Sequence, residues 1–220
     1  FSTNRLEESS IRDLLEKAVQ NVRMLAPDRF RKLPAKEDTA NDAVRGDEMG
    51  LVWYGYDTVT ADEKLAMAKN VSVFAEFREA APDRNWKVVS EEVEYNNTLT
   101  DTYLTNSDGI HCRHTETSFE VCAQVTVEDN AGDKYSGFWW DYSISPEKVR
   151  ASDCGHKAVM QAVSQIGPVN ADGGRHVMVV SNRISGRLLQ PVLDALGGRA
   201  IQQKSSFLTD SLGKRIFSKG

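Results

Sequence analysis

The sequence predicts an α+β fold, mixed helices with an antiparallel β-sheet, on three observations. Apolar residues recur at helical spacing on both sides of one central block. Inside that block, from Trp86 to Ile144, the apolar period drops to two. Clusters of turn-forming residues then cut the block into hairpin-sized pieces.

The first element is a helix. Asn4 stands as its cap and Glu7 as the reciprocal partner. Ile11, Leu14, Leu15, Ala18, Val22 and Leu25 make its apolar face, and Pro27 stops it after Ala26. Residues 28–41 are charged, carry Pro34 and read as a surface linker. Trp53, Tyr54 and Tyr56, interrupted by Gly55, form either a short strand or an aromatic loop. The second helix has a sharper start, because Thr60-Ala61-Asp62-Glu63 fits a capping box. Leu65, Ala68, Val71, Phe74 and Ala75 line it, and it is expected to run to about Ala81, before Pro82.

In the central block Val88, Val93, Tyr95, Leu99 and Tyr103, then Val121, Ala123, Val125 and Val127, alternate with polar residues. Such alternation marks half-buried antiparallel strands. Asn106-Ser107-Asp108-Gly109 and Asp129-Asn130-Ala131-Gly132-Asp133 supply the turns, so the block reads as a meander of three to five strands. A third helix follows Ser145-Pro146, with Ala158, Val159, Ala162, Val163 and Ile166 on one face and Gly167-Pro168 closing it. Val169 to Arg175 is a Gly-rich loop, and His176 to Ser181 reads as a short strand. The last helix carries Leu188, Leu189, Val192, Leu193 and Leu196 and ends at Gly197-Gly198. Pro191 belongs in a first turn, where its missing N–H costs nothing, so this helix is expected to start near Gln190.

The 220 residues are 40 % hydrophobic and 27 % charged, ordinary globular proportions that exclude a disordered tail, a fibre or a rod. Runs such as Val177-Met178-Val179-Val180 are far shorter than the ~20 residues of a membrane span. A net charge of −5 without a basic stripe argues against direct nucleic-acid contact. Cys112, Cys122 and Cys154 form no CxxC pair, and their odd count points to reduced thiols and the cytoplasm. Phe1 without an initiator Met and the closing Ser218-Lys219-Gly220 read as a chain in mid-course.

Among chemistry-bearing residues, His111-Cys112-Arg113-His114 stands out. On a strand His111 and His114 face opposite ways, while Cys112 and His114 share a face and are the weak metal candidates. Cys122, Cys154 and His156 could complete such a site only if the fold gathered them. Polar strand residues beside a turn are the plainer reading. Glu91, Glu92 and Glu94 suit a solvated edge strand. Phe138-Trp139-Trp140 suits either an exposed binding patch or, more simply, a buried or interface strand. No G-x-S-x-G, G-x-x-x-x-G-K or G-x-G-x-x-G is present, so nothing points to a serine nucleophile, a phosphate loop or a dinucleotide.

The last fifty residues resemble a known family. Val177-Met178-Val179-Val180, Arg187-Leu188-Leu189, Ala195-Leu196-Gly197-Gly198-Arg199-Ala200, Lys204-Ser205-Ser206-Phe207-Leu208 and Leu212-Gly213-Lys214-Arg215-Ile216 are similar to the TldD/PmbA family, also called modulator of DNA gyrase. Phe1-Ser2-Thr3-Asn4 resembles the segment that ends the family's first sheet. The resemblance implies that an N-terminal α/β domain runs into a β-rich C-terminal domain. Residues 1–27 would end the N-terminal region, 28–168 would form a middle α+β region, and 169–220 would start the C-terminal domain. Other members continue beyond both ends.

Family members of the TldD type look like zinc metallopeptidases with a His-Glu-x-x-x-His helix. PmbA-type (TldE) members lack that motif and pair with TldD. The motif follows a Leu-Leu pair, so its positions fall here on Gln190, Pro191 and Ala195, and none of the three is kept. The resemblance therefore implies a PmbA/TldE-like, non-catalytic subunit that works with a TldD-like partner or a homo-oligomer on an unfolded peptide. Zinc would sit in the partner and no cofactor in this chain. The alternatives are a stand-alone metallopeptidase with a non-standard metal site and a protein-binding modulator of DNA gyrase.

Overall fold

The computed structural model describes residues 1–39 and 45–217, which leaves the end of the 28–41 linker and Ser218-Lys219-Gly220 outside the described residues. The chain divides into two compact units, Phe1–Pro168 and Val169–Gly220.

In the first unit α1 spans Glu8–Arg23. The expected Asn4–Glu7 box does not form: Glu7 is itself the cap residue and makes no side-chain cap bond. A cap side chain reaches only the next two or three amides, and Asn4 lies a turn too early. None of the apolar face of α1 is buried. The aromatic segment at 51–56 is a loop that passes into a 3₁₀ turn at Tyr56–Thr58.

Helix α2, Ala61–Val71, starts where the capping box places it. The Glu63 N–H donates to Thr60 Oγ1 at 3.2 Å, and the Thr60 N–H donates to Glu63 Oε2 at 2.8 Å. The helix does not continue to Ala81. It breaks at Ser72, and a one-turn helix α3 follows at Phe74–Phe77. The break has a packing cause. Val71 and Val73 are both buried. In one continuous helix they would point about 200° apart, and extended Ser72 lets both enter the core. Glu91 secures the break, accepting the Val73 N–H at 2.7 Å and the Ser72 hydroxyl.

Three strands follow as an antiparallel meander: β1 Trp86–Thr105, β2 His111–Asp129 and β3 Lys134–Ser143, in the order β1-β2-β3. The odd spacing between Val88 and Val93 in the sequence is a bulge between Val88 and Ser90, which keeps both valines on the inner face. That face carries Phe119, Val121, Ala123, Val125 and Val127, all fully buried. Trp53 meets Phe119 edge to face, with centroids 5.3 Å apart.

Helix α4, Ala151–Val163, covers this face with Cys154, Gly155, Ala158, Val159 and Ala162. Small residues bring it close. A Cβ on Gly137 of β3 would lie 2.0 Å from the Ala158 carbonyl oxygen, and one on Gly155 would lie 2.0 Å from that of Val71.

Because β3 pairs only with Phe119–Glu128, the β1–β2 hairpin runs on as a two-stranded arm. Thr117 closes the end of the core there. Its N–H donates to the Leu51 carbonyl at 2.9 Å and its hydroxyl to the Ile144 carbonyl at 2.9 Å, while the Trp53 N–H donates to its Oγ1 at 2.9 Å.

In the second unit the expected strand at His176–Ser181 is absent. The segment is irregular, with Val177 and Val179 more than nine-tenths exposed and no ladder partner among the described residues. The helix expected to start near Gln190 is also longer. α5 spans Asn182–Leu196 with Pro191 inside it. Ser181 caps it by accepting the Arg183 N–H, so it nucleates two turns before the proline, which then removes one interior hydrogen bond. α6, Gly198–Gln202, follows directly.

Candidate functional site

Gln190, Pro191 and Ala195, the positions onto which the family resemblance places the zinc motif, lie on the C-terminal half of α5. Gln190 Nε2 donates to Asp194 Oδ1 at 2.8 Å, one turn on. Ala195 is buried, and its carbonyl accepts the Ser206 hydroxyl at 2.6 Å. Ser206 Oγ in turn accepts the Leu208 N–H at 3.0 Å, so the Lys204–Leu208 segment folds back on the helix. Leu208 and Ala195 are the two buried apolar residues among the described residues of this unit. Zinc is held by imidazole, thiolate or carboxylate, and hydrolysis also needs a base for its water. An amide tied to a neighbour, a proline ring and a methyl group supply none of these.

Elsewhere, the sheet keeps Cys112 and His114 on one face of β2, opposite Leu104 and Thr102, with His111 on the other. His114 Nε2 is 3.7 Å from Glu116 Oε2. Cys154 is buried on the sheet-facing side of α4 and donates to the Trp139 carbonyl, and His156 contacts Glu76 at 3.0 Å. The fold therefore does not gather these residues. Among the described residues no three of His, Cys, Asp and Glu stand where they could hold one metal ion.

On the outer face of the sheet, Cys122 sits beside Glu94, its Sγ 3.7 Å from Oε2. Burial, and then the charges of Glu94 and Glu120, push its thiol pKa up and keep it protonated, which suits a packed thiol rather than a nucleophile. Glu92 and Glu94 lie on this open face of an edge strand, whereas Glu91 points inward to the Ser72 break. Phe138-Trp139-Trp140 divides between the two faces. Trp139 packs on the core, while Phe138 stacks on Trp140 on the outer face at 5.5 Å, beside exposed Tyr142.

The profile of the PmbA/TldA metallopeptidase central domain matches residues 54–166, and that of the PmbA/TldA C-terminal domain matches residues 173–220. The chain belongs to the PmbA/TldA metallopeptidase family. Among solved structures of this fold, a candidate modulator of DNA gyrase from Bacteroides thetaiotaomicron VPI-5482 superimposes with a TM-score of 0.83 at 26 % identity. The match covers 99 % of this chain and 48 % of that one. A candidate modulator from Thermotoga maritima MSB8 gives a TM-score of 0.64 at 19 % identity over 96 % of this chain and 45 % of that one, a likeness of fold. The chain thus spans about half the length of these structures. No curated protein matches it.

Two features of the PmbA/TldA chain escaped the sequence. Glu91 braces the helix break, and its only signal was a carboxylate on an apolar strand face once the bulge is counted. Tyr95 places its hydroxyl out of reach of water with no hydrogen-bond partner among the described residues, and alternation showed only that the ring faces inward.

Proposed function

We propose that this PmbA/TldA-family chain acts as a PmbA/TldE-like, non-catalytic subunit of a cytoplasmic metallopeptidase complex that processes peptides. The observation that carries this reading is the donor set on α5. By the family resemblance Gln190, Pro191 and Ala195 fall where TldD-type members carry two histidines and a glutamate, and an amide held by Asp194, a proline ring and a methyl group do not fit a catalytic zinc. The metal and the hydrolytic step then belong to a TldD-like partner, and this chain shapes the chamber and presents an unfolded peptide. The edge strand β3, with Phe138, Trp140 and Tyr142 on the open face, offers backbone groups for strand addition and aromatic anchors beside them. Among the described residues no helix is long and apolar enough to cross a membrane.

The test is peptide cleavage by the full-length protein alone and with its TldD-like partner. Cleavage only with the partner supports the reading, and robust chelator-sensitive cleavage by this protein alone refutes it. A second reading follows the description of the Bacteroides relative: contact with gyrase as a protein partner, since the −5 charge disfavours DNA itself. Retention of purified gyrase by the immobilised protein tests it.

A further inference from the structure

The order β1-β2-β3 makes β3 an edge strand. Such an edge turns backbone N–H and C=O groups toward any other strand, and the aromatic run Phe138-Trp139-Trp140 favours pairing. Two of these outward groups are nonetheless taken. The Phe138 N–H donates to Gln161 Oε1 at 3.3 Å, and the Ser136 carbonyl accepts from Gln165 Nε2 at 2.7 Å. Gln161 lies on α4 and Gln165 in the turn that closes it. Gln165 Nε2 also donates to the Gln161 carbonyl at 3.0 Å, which fixes its direction. Gly137 stands between the two groups. A Cβ there would meet the Ala158 carbonyl oxygen and, at 3.0 Å, Gln161 Cβ, so the missing side chain is what brings α4 within a glutamine's reach of the edge.

A glutamine side chain ends in the same amide group as the backbone. Gln161 accepts and Gln165 donates, the two bonds that a neighbouring strand would make here. The sequence of β3 says which strand fits. If two copies paired antiparallel across a two-fold axis at Gly137, Ser136 would face Phe138, Tyr135 would face Trp139 and Lys134 would face Trp140. No like charges would be opposed. In that register the Ser136 carbonyl accepts the second copy's Phe138 N–H, and the reverse. Those are the two groups the glutamines hold.

We infer that Gln161 and Gln165 guard this edge: by holding the Ser136 carbonyl and the Phe138 N–H, they keep β3 from pairing with β3 of a second copy of this chain. The inference is independent of the peptide-handling reading, and its test uses no peptide.

Sedimentation velocity of the full-length protein over a concentration series measures the association, with the wild type as baseline. Gln161→Ala/Gln165→Ala is expected to associate beyond that baseline at concentrations at least about tenfold lower. Both side chains are exposed, so its Tm is expected to stay within about 2 °C of the wild type. Adding Ser136→Pro removes an outward N–H that β3–β3 pairing needs and no bond to β2, and is expected to restore the baseline. At concentrations where neither protein associates, hydrogen exchange at the Phe138 amide is expected to be at least about tenfold faster in Gln161→Ala than in the wild type. The inference is overturned if the double alanine variant associates no more than the wild type, if Ser136→Pro leaves its association intact, or if the Phe138 amide exchanges equally fast with and without Gln161. A larger fall in Tm that the association tracks also overturns it, because unfolding would then be what exposes the strand.

Discussion

Gly155→Ala sets helix propensity against packing. An alanine in a helix interior is favoured over glycine by about 1 kcal/mol, so the local term alone says that the variant gains stability. The structure says the reverse. The new Cβ would lie 2.0 Å from the Val71 carbonyl oxygen and 2.9 Å from Val73 Cγ1. Real contacts of this kind begin near 3.0 Å, so α4 and the end of α2 must separate by about 1 Å in a close-packed core. Overpacking of this sort costs about 1–3 kcal/mol and sometimes more. The obstacle here is a backbone carbonyl at the buried Val71, so the upper part of that range applies. After the propensity gain, the expected net loss is about 2 kcal/mol, or roughly 4–8 °C in Tm for a chain of this size. Thermal melts followed by circular dichroism measure it. Gly186→Ala is the control: it lies in α5 with nothing within 4 Å of the added Cβ and should not lower Tm. A Gly155→Ala protein as stable as the wild type, or more so, would refute the close approach of α2 and α4.

Three further outcomes follow from particular contacts. Thr60→Ala removes the side-chain half of the α2 capping box, the acceptor of the Glu63 N–H, and should cost about 1 kcal/mol in urea unfolding, whereas Thr60→Ser should cost much less. His156 donates to the Ser152 carbonyl and reaches Glu76, which raises its pKa in that order of cause. Its stabilisation is therefore full below the unfolded value of about 6.5 and fades as pH rises through the higher folded value. His156→Gln should be destabilising by about 0.5 kcal/mol at pH 5.5, the scale of an exposed pair, and neutral by about pH 8.5. Asp101 accepts two hydrogen bonds from Arg113, each 2.9 Å, and its carboxyl is held down at about 2. In Arg113→Gln, NMR titration should return it toward the usual value near 3.9.

Much of the fold was legible because its signals are local. Thr60 and Glu63 specify a helix start within four residues, and two turn clusters place the ends of three strands. The alternation of β2 names its buried face residue by residue. Local signals failed where a distant residue decided. Helix periodicity carries α2 past Ser72, but Val71 and Val73 share one core and Glu91 from β1 satisfies the exposed amide. The proline rule starts the last helix at Gln190, but the Ser181 cap nucleates it two turns earlier. Val177–Val180 has strand composition and no ladder partner among the described residues. The candidate site divides in the same way. Gln190, Pro191 and Ala195 could be named only through the family resemblance, which supplies the positions; their residue types then speak for themselves. The Tyr95 hydroxyl, without a partner among the described residues, could not be named, because that is a property of its surroundings.

The sequence by itself therefore determined the α+β class, the order of the main helices and strands of the first unit and the inner face of the sheet. These follow from period, caps, turns and side-chain chemistry, all of which act over a few residues. Only the tertiary structure decided where α2 breaks, why Gly137 and Gly155 must be small, and that Gln161 and Gln165 reach the β3 edge. Those depend on groups far apart in sequence meeting at van der Waals or hydrogen-bond distance, which no local pattern encodes.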